Sequence, residues 1–132
     1  MKLSIIAAAL ATFTATGVAL APAFAAPPVA GDPVAGARAF GQCKICHTTD
    51  AGGADLIGPN LSKAFGAKAG TRRAKYAYSP ALKKSGLVWN EANLDKWLTD
   101  PAKTVPGTKM AFVGFPRKAM RDNVIAYLKT LK

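Results

Sequence analysis

Cysteine and histidine are scarce in this chain: its 132 residues hold 2 of the first and 1 of the second. Such counts exclude a disulfide-rich scaffold, a four-cysteine zinc site and a three-histidine catalytic zinc. Acidic side chains are also few, 7 against 18 basic ones, which leaves a formal charge of +11. After residue 26 no apolar run approaches the length of a membrane span, and neither an internal repeat nor a useful alternating strand pattern occurs. The chain is too short for a large enzyme with its own lid and substrate domain, and too well mixed in apolar and polar residues for disorder. One compact domain is expected.

The first 26 residues differ from the rest. They carry a single charge, Lys2, followed by an uncharged run from Ser4 to about Leu20 and the small-residue stretch Ala21-Pro22-Ala23-Phe24-Ala25-Ala26. Ala23 and Ala25 form the small-x-small pattern of a signal peptidase site. Residues 1–26 therefore read as a secretory signal peptide cleaved after Ala25 or Ala26, with retention as an anchor the rival. Residues 27–132 form the mature domain, exported in a bacterium to the periplasm. An oxidising compartment favours a disulfide between nearby thiols, the plain expectation for Cys43 and Cys46.

The mature chain reads as all-α, about four short helices joined by long loops. Asp32-Pro33 supplies an N-cap and a first-turn proline for a helix from 33 to about 43. Ser79-Pro80 starts a second helix, ended by Gly86. Asn90 caps a third with Leu94, Trp97 and Leu98 at helical spacing, stopped by Asp100-Pro101. The last runs from near Pro116 to Leu131, with Met120, Val124, Tyr127, Leu128 and Leu131 on its apolar face. Residues 62–78 read as a surface loop with one or two helical turns. Helices this short leave a thin core, and a large flat apolar ligand would add buried surface.

Cys43-Lys44-Ile45-Cys46-His47 is the strong motif. The spacing C-x-x-C-H attaches c-type haem: each thiol adds to one vinyl group, and the adjacent imidazole reaches the iron. A thioredoxin-like pair would need a preceding strand and a βαβ setting, which the sequence lacks. A structural disulfide would leave the adjacent histidine unexplained. His47 needs an acceptor for its other ring nitrogen, and the turn Gly58-Pro59-Asn60-Leu61 offers one in the carbonyl of Pro59. With no second histidine, the remaining ligand candidates are Met110, Met120 and Lys109. Met120 lies on the apolar face of the last helix, where packing is its expected role. Met110 lies in the stiff turn Val105 to Phe112 and is favoured; Lys109 needs a deprotonated amine.

With these residues the sequence resembles class I cytochrome c of the mitochondrial and bacterial medium-potential type. The match covers essentially all of residues 31–132, carried by Gly36, Phe40, Cys43 to His47, Gly58 to Leu61, Trp89, Pro106 to Met110, Phe112 and Ile125 to Lys129. The resemblance implies one haem c, bound covalently through Cys43 and Cys46, with His47 and Met110 as axial ligands. It implies that Pro59 orients His47, that Tyr78 and Trp89 hydrogen-bond a propionate, and that Thr108 braces the ligand loop. Phe112 would cover the exposed haem edge, and Gly36 would let the first and last helices cross closely against Tyr127. Three positions depart from the family pattern: Ala67 where an arginine near a propionate is usual, Trp97 for a tyrosine, and Leu82 for a polar residue. One extra residue lies between Gly70 and Tyr76.

The function implied is a soluble periplasmic carrier of single electrons, not an enzyme. Its partners would be acidic-patch redox proteins: a cytochrome oxidase, a quinol–cytochrome c reductase, a reaction centre or a periplasmic dehydrogenase. Lys44, Arg72, Arg73, Lys75, Lys83, Lys84, Lys103, Lys109, Arg117 and Lys118 would steer the approach, or else form a solvated surface. Export disfavours nucleic acid as a partner. A monomer is expected, not membrane-spanning once mature. The competing class is a haem enzyme such as a peroxidase, or a gas sensor, with a labile sixth position.

Overall fold

The Asp32 carboxylate accepts from the Val34 N–H at 2.8 Å, and Pro33 opens the helix with no N–H to satisfy. Helix α1 accordingly spans Pro33–Ala39 in a computed structural model that describes residues 30–131. The segment expected to be a signal peptide, 1–26, lies outside the described residues, as do 27–29 and residue 132.

Where a continuous helix to about 43 was expected, the chain tightens into a 3-10 turn over Phe40–Ile45. Side chains three apart eclipse one another in such a turn, which suits a pair of thiols at positions 43 and 46. The N–H groups of Cys46 and His47 both donate to the Cys43 carbonyl, at 3.1 and 2.9 Å.

Ser79 Oγ accepts from the Leu82 N–H to cap α2, Pro80–Lys84. Asn90 caps α3, Glu91–Thr99, through the Asn93 N–H, and α3 buries Leu94, Trp97 and Leu98. Asp100-Pro101 does end α3, but it also begins a further helix. The Asp100 carboxylate accepts from the Lys103 N–H at 2.9 Å and starts α4, Pro101–Thr104. A terminator and an N-cap are chemically the same pair here, so the described residues hold five α-helices rather than about four. Helix α5 spans Lys118–Thr130, beginning two residues past the expected Pro116, and buries Val124, Ile125 and Leu128. Residues 62–78 contain turns but no helix; among the described residues the only ladder contact is an isolated bridge between Lys68 and Val88.

Helices α1 and α5 make the central crossing. A Cβ at Gly36 would lie 1.9 Å from the Asn123 carbonyl oxygen, so only glycine permits this approach. The Phe40 and Tyr127 rings meet beside it with centroids 5.2 Å apart, and the Asp32 N–H donates to Asn123 Oδ1 at 2.8 Å. Phe40, Leu82, Leu94, Trp97, Leu98, Val124 and Leu128 belong to the buried core. They also line one cavity, so the core surrounds an interior space. No helix among the described residues is long and apolar enough to cross a membrane.

Candidate cofactor site

The cavity has a volume of about 260 Å³ and walls drawn from six stretches of chain, within 40–47, 57–72, 76–82, 89–98, 108–112 and 124–128. Cys43, Cys46, His47, Pro59, Tyr78, Trp89, Thr108, Met110 and Phe112 all line it. All nine residues singled out in the sequence thus meet on one space. Met120 is packed against the core and is not part of the lining.

The Cys43 and Cys46 thiols are not joined to each other. Burial, with Cys46 adding to it, pushes the Cys43 thiol up to about 11, so the wall disfavours a thiolate. A neutral thioether in the same place carries no such penalty.

His47 Nδ1 donates to the Pro59 carbonyl at 2.7 Å. A carbonyl can only accept, so the proton sits on Nδ1 and Nε2 is left as a lone-pair donor. Burial lowers the imidazole pKa, outweighing the opposing pull of the Pro59 carbonyl, and the ring is neutral at physiological pH. Gly58 presses on the same ring: a Cβ there would lie 2.3 Å from His47 Cε1. The turn therefore needs its glycine as much as its carbonyl.

In the segment that carries Met110, Thr108 Oγ1 accepts from the Met110 N–H at 3.3 Å, and the Thr108 N–H donates to the Val105 carbonyl. Lys109 Nζ donates to the Ala77 carbonyl at 3.0 Å, so the amine is engaged as a donor. The Phe112 ring packs edge-on against Phe115 at 5.0 Å.

Burial raises the Tyr78 pKa, so its hydroxyl keeps its proton at neutral pH. That oxygen accepts from the Arg73 N–H at 3.3 Å, and its proton remains available to donate. Trp89 is pinned by backbone hydrogen bonds to Ala67 and Gly66, and its ring lies 5.1 Å from Trp97. The departures Ala67, Leu82 and Trp97 all line the cavity.

Two of the basic residues read as a charged surface are placed otherwise. Arg72 and Arg73 are half-buried and bonded to Asn60 and to Asp55 and Gly53, respectively. Charge in a loop sequence suggested solvent; the partners, 12 to 20 residues away, could not be read from spacing. Asn60, in sequence only one residue of a turn, is 1% exposed and fully bonded. Its position directly after Pro59 was the one available signal.

A cavity with two thiols, a neutral imidazole and a thioether on its walls has the donor set that would hold an iron porphyrin. The sequence profile described as Cytochrome c matches residues 33–132. Cytochrome c2 of Rhodomicrobium vannielii is 50% identical over 101 residues, covering 76% of this chain and 80% of its own. Cytochrome c2 of Rhodoblastus acidophilus is 47% identical over 103 residues, covering 78% and 95%. The structure of cytochrome cH from Methylobacterium extorquens superposes with a TM-score of 0.72 at 51% identity, covering 76% of this chain and 99% of that one.

Proposed function

The chain belongs to the cytochrome c family, electron-transfer proteins that carry one covalently attached haem c, and on that premise we propose a periplasmic one-electron carrier ligated by His47 and Met110. The observation that carries the ligand assignment is the sharing of one cavity by a neutral His47 imidazole, the two thiols and Met110, with Met120 outside the lining. When bound, the haem iron takes up and releases one electron.

The chain's own residues do the rest. Cys43 and Cys46 would hold the group by two thioethers, one from the 3-10 turn and one from the residue that caps it. Pro59 keeps the proton of His47 on Nδ1 and so presents Nε2 in a fixed direction. A Met110 thioether, soft and weakly donating, favours Fe(II). Tyr78, as a hydroxyl donor, and Trp89 suit a propionate. Phe112 and the apolar core residues that line the cavity would keep water out.

Export to the periplasm is supported by the sequence of residues 1–26. Membrane or periplasmic redox complexes with acidic patches are the proposed partners, including an oxidase, a reductase, a reaction centre or a dehydrogenase. Support comes from the basic surface, where Lys44, Lys75, Lys83, Lys84, Lys103, Lys109, Arg117 and Lys118 are exposed.

The test is spectroscopic. The ferric holoprotein is expected to show a weak sulfur-to-iron charge-transfer band, and the reduced protein to bind little carbon monoxide. Met110→Ala is expected to lose the band and bind carbon monoxide readily. Rapid carbon monoxide uptake by the native protein would instead indicate an open sixth position, the property of a haem enzyme or gas sensor.

A further inference from the structure

We infer that Asp55, Arg72 and Arg73 are positioning residues for His47, acting as a clamp on the peptide unit that joins Pro59 to Asn60. The inference rests on the reading of His47 as the iron's imidazole ligand.

The argument starts from the planarity of the peptide bond. The Pro59 carbonyl and the Asn60 N–H belong to one rigid unit and point in opposite directions. The oxygen accepts from His47 Nδ1 at 2.7 Å, while the N–H donates to Asp55 Oδ1 at 2.8 Å. Holding one end of the unit fixes the other. If the plane turned about its flanking bonds, both contacts would be lost together.

Asp55 is in turn held. Arg73 Nε donates to the same Oδ1 at 2.7 Å, and Arg73 Nη2 donates to the Gly53 carbonyl at 3.1 Å, closing the guanidinium over the loop. Burial works against the charged Asp55 carboxylate, but the Asn60 N–H and the Arg73 guanidinium hold it below the ordinary carboxylate value. Arg72 secures the next peptide unit, its Nη2 donating to the Asn60 carbonyl at 2.5 Å and approaching Asn60 Oδ1 at 3.3 Å. The Asn60 side chain ties back to the stretch after His47 through Thr48 Oγ1 at 2.7 Å and the Asp50 carbonyl at 2.9 Å. Two cations from one loop therefore fix the two peptide units on either side of a buried asparagine. The direction of the imidazole is the quantity they control.

The experiment uses the matured holoprotein. Asp55→Ala/Arg73→Ala removes the clamp at constant net charge, and Asp55→Asn leaves an acceptor oxygen but no ion pair. Solvent exchange of the His47 Nδ1 proton is followed by NMR in the reduced state, with the α5 amides as the reference for global opening. The expected result is exchange about tenfold or more faster in the double variant, the size of losing one charge-assisted hydrogen bond, with α5 amide rates unchanged and Asp55→Asn intermediate. An unchanged Nδ1 rate overturns the inference. So does equal acceleration at Nδ1 and in α5, which would mean a purely structural contact. If the double variant does not fold, Arg72→Lys gives the same readout, because it keeps the charge and loses the planar fork on Asn60. Native protein that matures without covalently attached haem is a different failure, and it removes the underlying reading of the site.

Discussion

Segment 46–61, which carries His47, and segment 105–115, which carries Met110, are anchored by different means. The first is bonded along its whole length: Gly58 to Cys46, Leu61 to Thr48, Thr48 to Ala54, and Asn60 to four partners with Arg72 beyond. The second is secured mainly at its ends. At one end the Val105 N–H donates to the Pro101 carbonyl at 2.9 Å; at the other the Phe115 N–H donates to the Leu98 carbonyl at 2.7 Å, and buried Arg121 donates to the Phe115 and Pro116 carbonyls while its Nε meets Asp95 at 2.7 Å. Between those ends Met110 has one long contact to Thr108, and Lys109 has one to Ala77. An imidazole must be aimed, which takes directional polar contacts; a thioether on a flexible stem needs chiefly a span of the right length and apolar packing. Ligand loosening is therefore expected on the methionine side first.

Three perturbations would break or sharpen that contrast. The largest effect is expected from Gly58→Ala, because the added methyl would sit 2.3 Å from a ring that Pro59 holds in place. A loss of about 3 kcal/mol in denaturant unfolding, with displacement of the His47 signals, is expected. A loss well below about 1 kcal/mol would mean that the histidine side yields as readily as the other.

Acid comes next. The Asp55 pKa lies below its ordinary value of 3.8 in the folded protein, so its contribution is complete above that value and disappears as pH falls through the lower folded pKa. The stability difference between the native protein and Asp55→Asn is expected to be about 1 kcal/mol near pH 6 and to vanish in strong acid, since the pair with Arg73 is partly open to water. Unfolding curves at several pH values measure it; a difference that does not shrink as pH falls below 3.8 contradicts the clamp's charge dependence.

The smallest effect is expected from Lys109→Ala, which removes one exposed contact to the Ala77 carbonyl. A loss of about 0.5 kcal/mol, somewhat faster carbon monoxide uptake and unmoved His47 signals would place the mobility in 105–115 alone.

Much of this architecture is legible in the sequence because it is local. Asp32-Pro33, Ser79-Pro80 and Asn90 mark helix starts through side chains that reach only two or three residues ahead. The apolar face of α5 follows from its 3.6-residue period. The motif at 43–47 is contiguous, so its chemistry can be read without any fold. Local signals also explain the near misses. Asp100-Pro101 is equally a stop and a start, and a 3-10 turn at the end of α1 leaves the same residue pattern as one more α-turn. The clamp on the Pro59–Asn60 peptide is illegible for the opposite reason. Arg73 meets Asp55 across 18 residues of loop, and nothing in a run of basic residues distinguishes one bound for a buried carbonyl from one left in water.

The seam between Gly36 and Asn123 brings the two ends of the described chain together. Joining points so far apart costs an unfolded polymer about 4 kcal/mol in closure entropy, and that cost grows only as the logarithm of the length enclosed. Once the seam is made, the stretches between it are tethered excursions from a common root. Lengthening the 62–78 excursion by a residue or two changes the closure term by a negligible fraction, so what limits its length is the Arg72 and Arg73 contacts and not the seam.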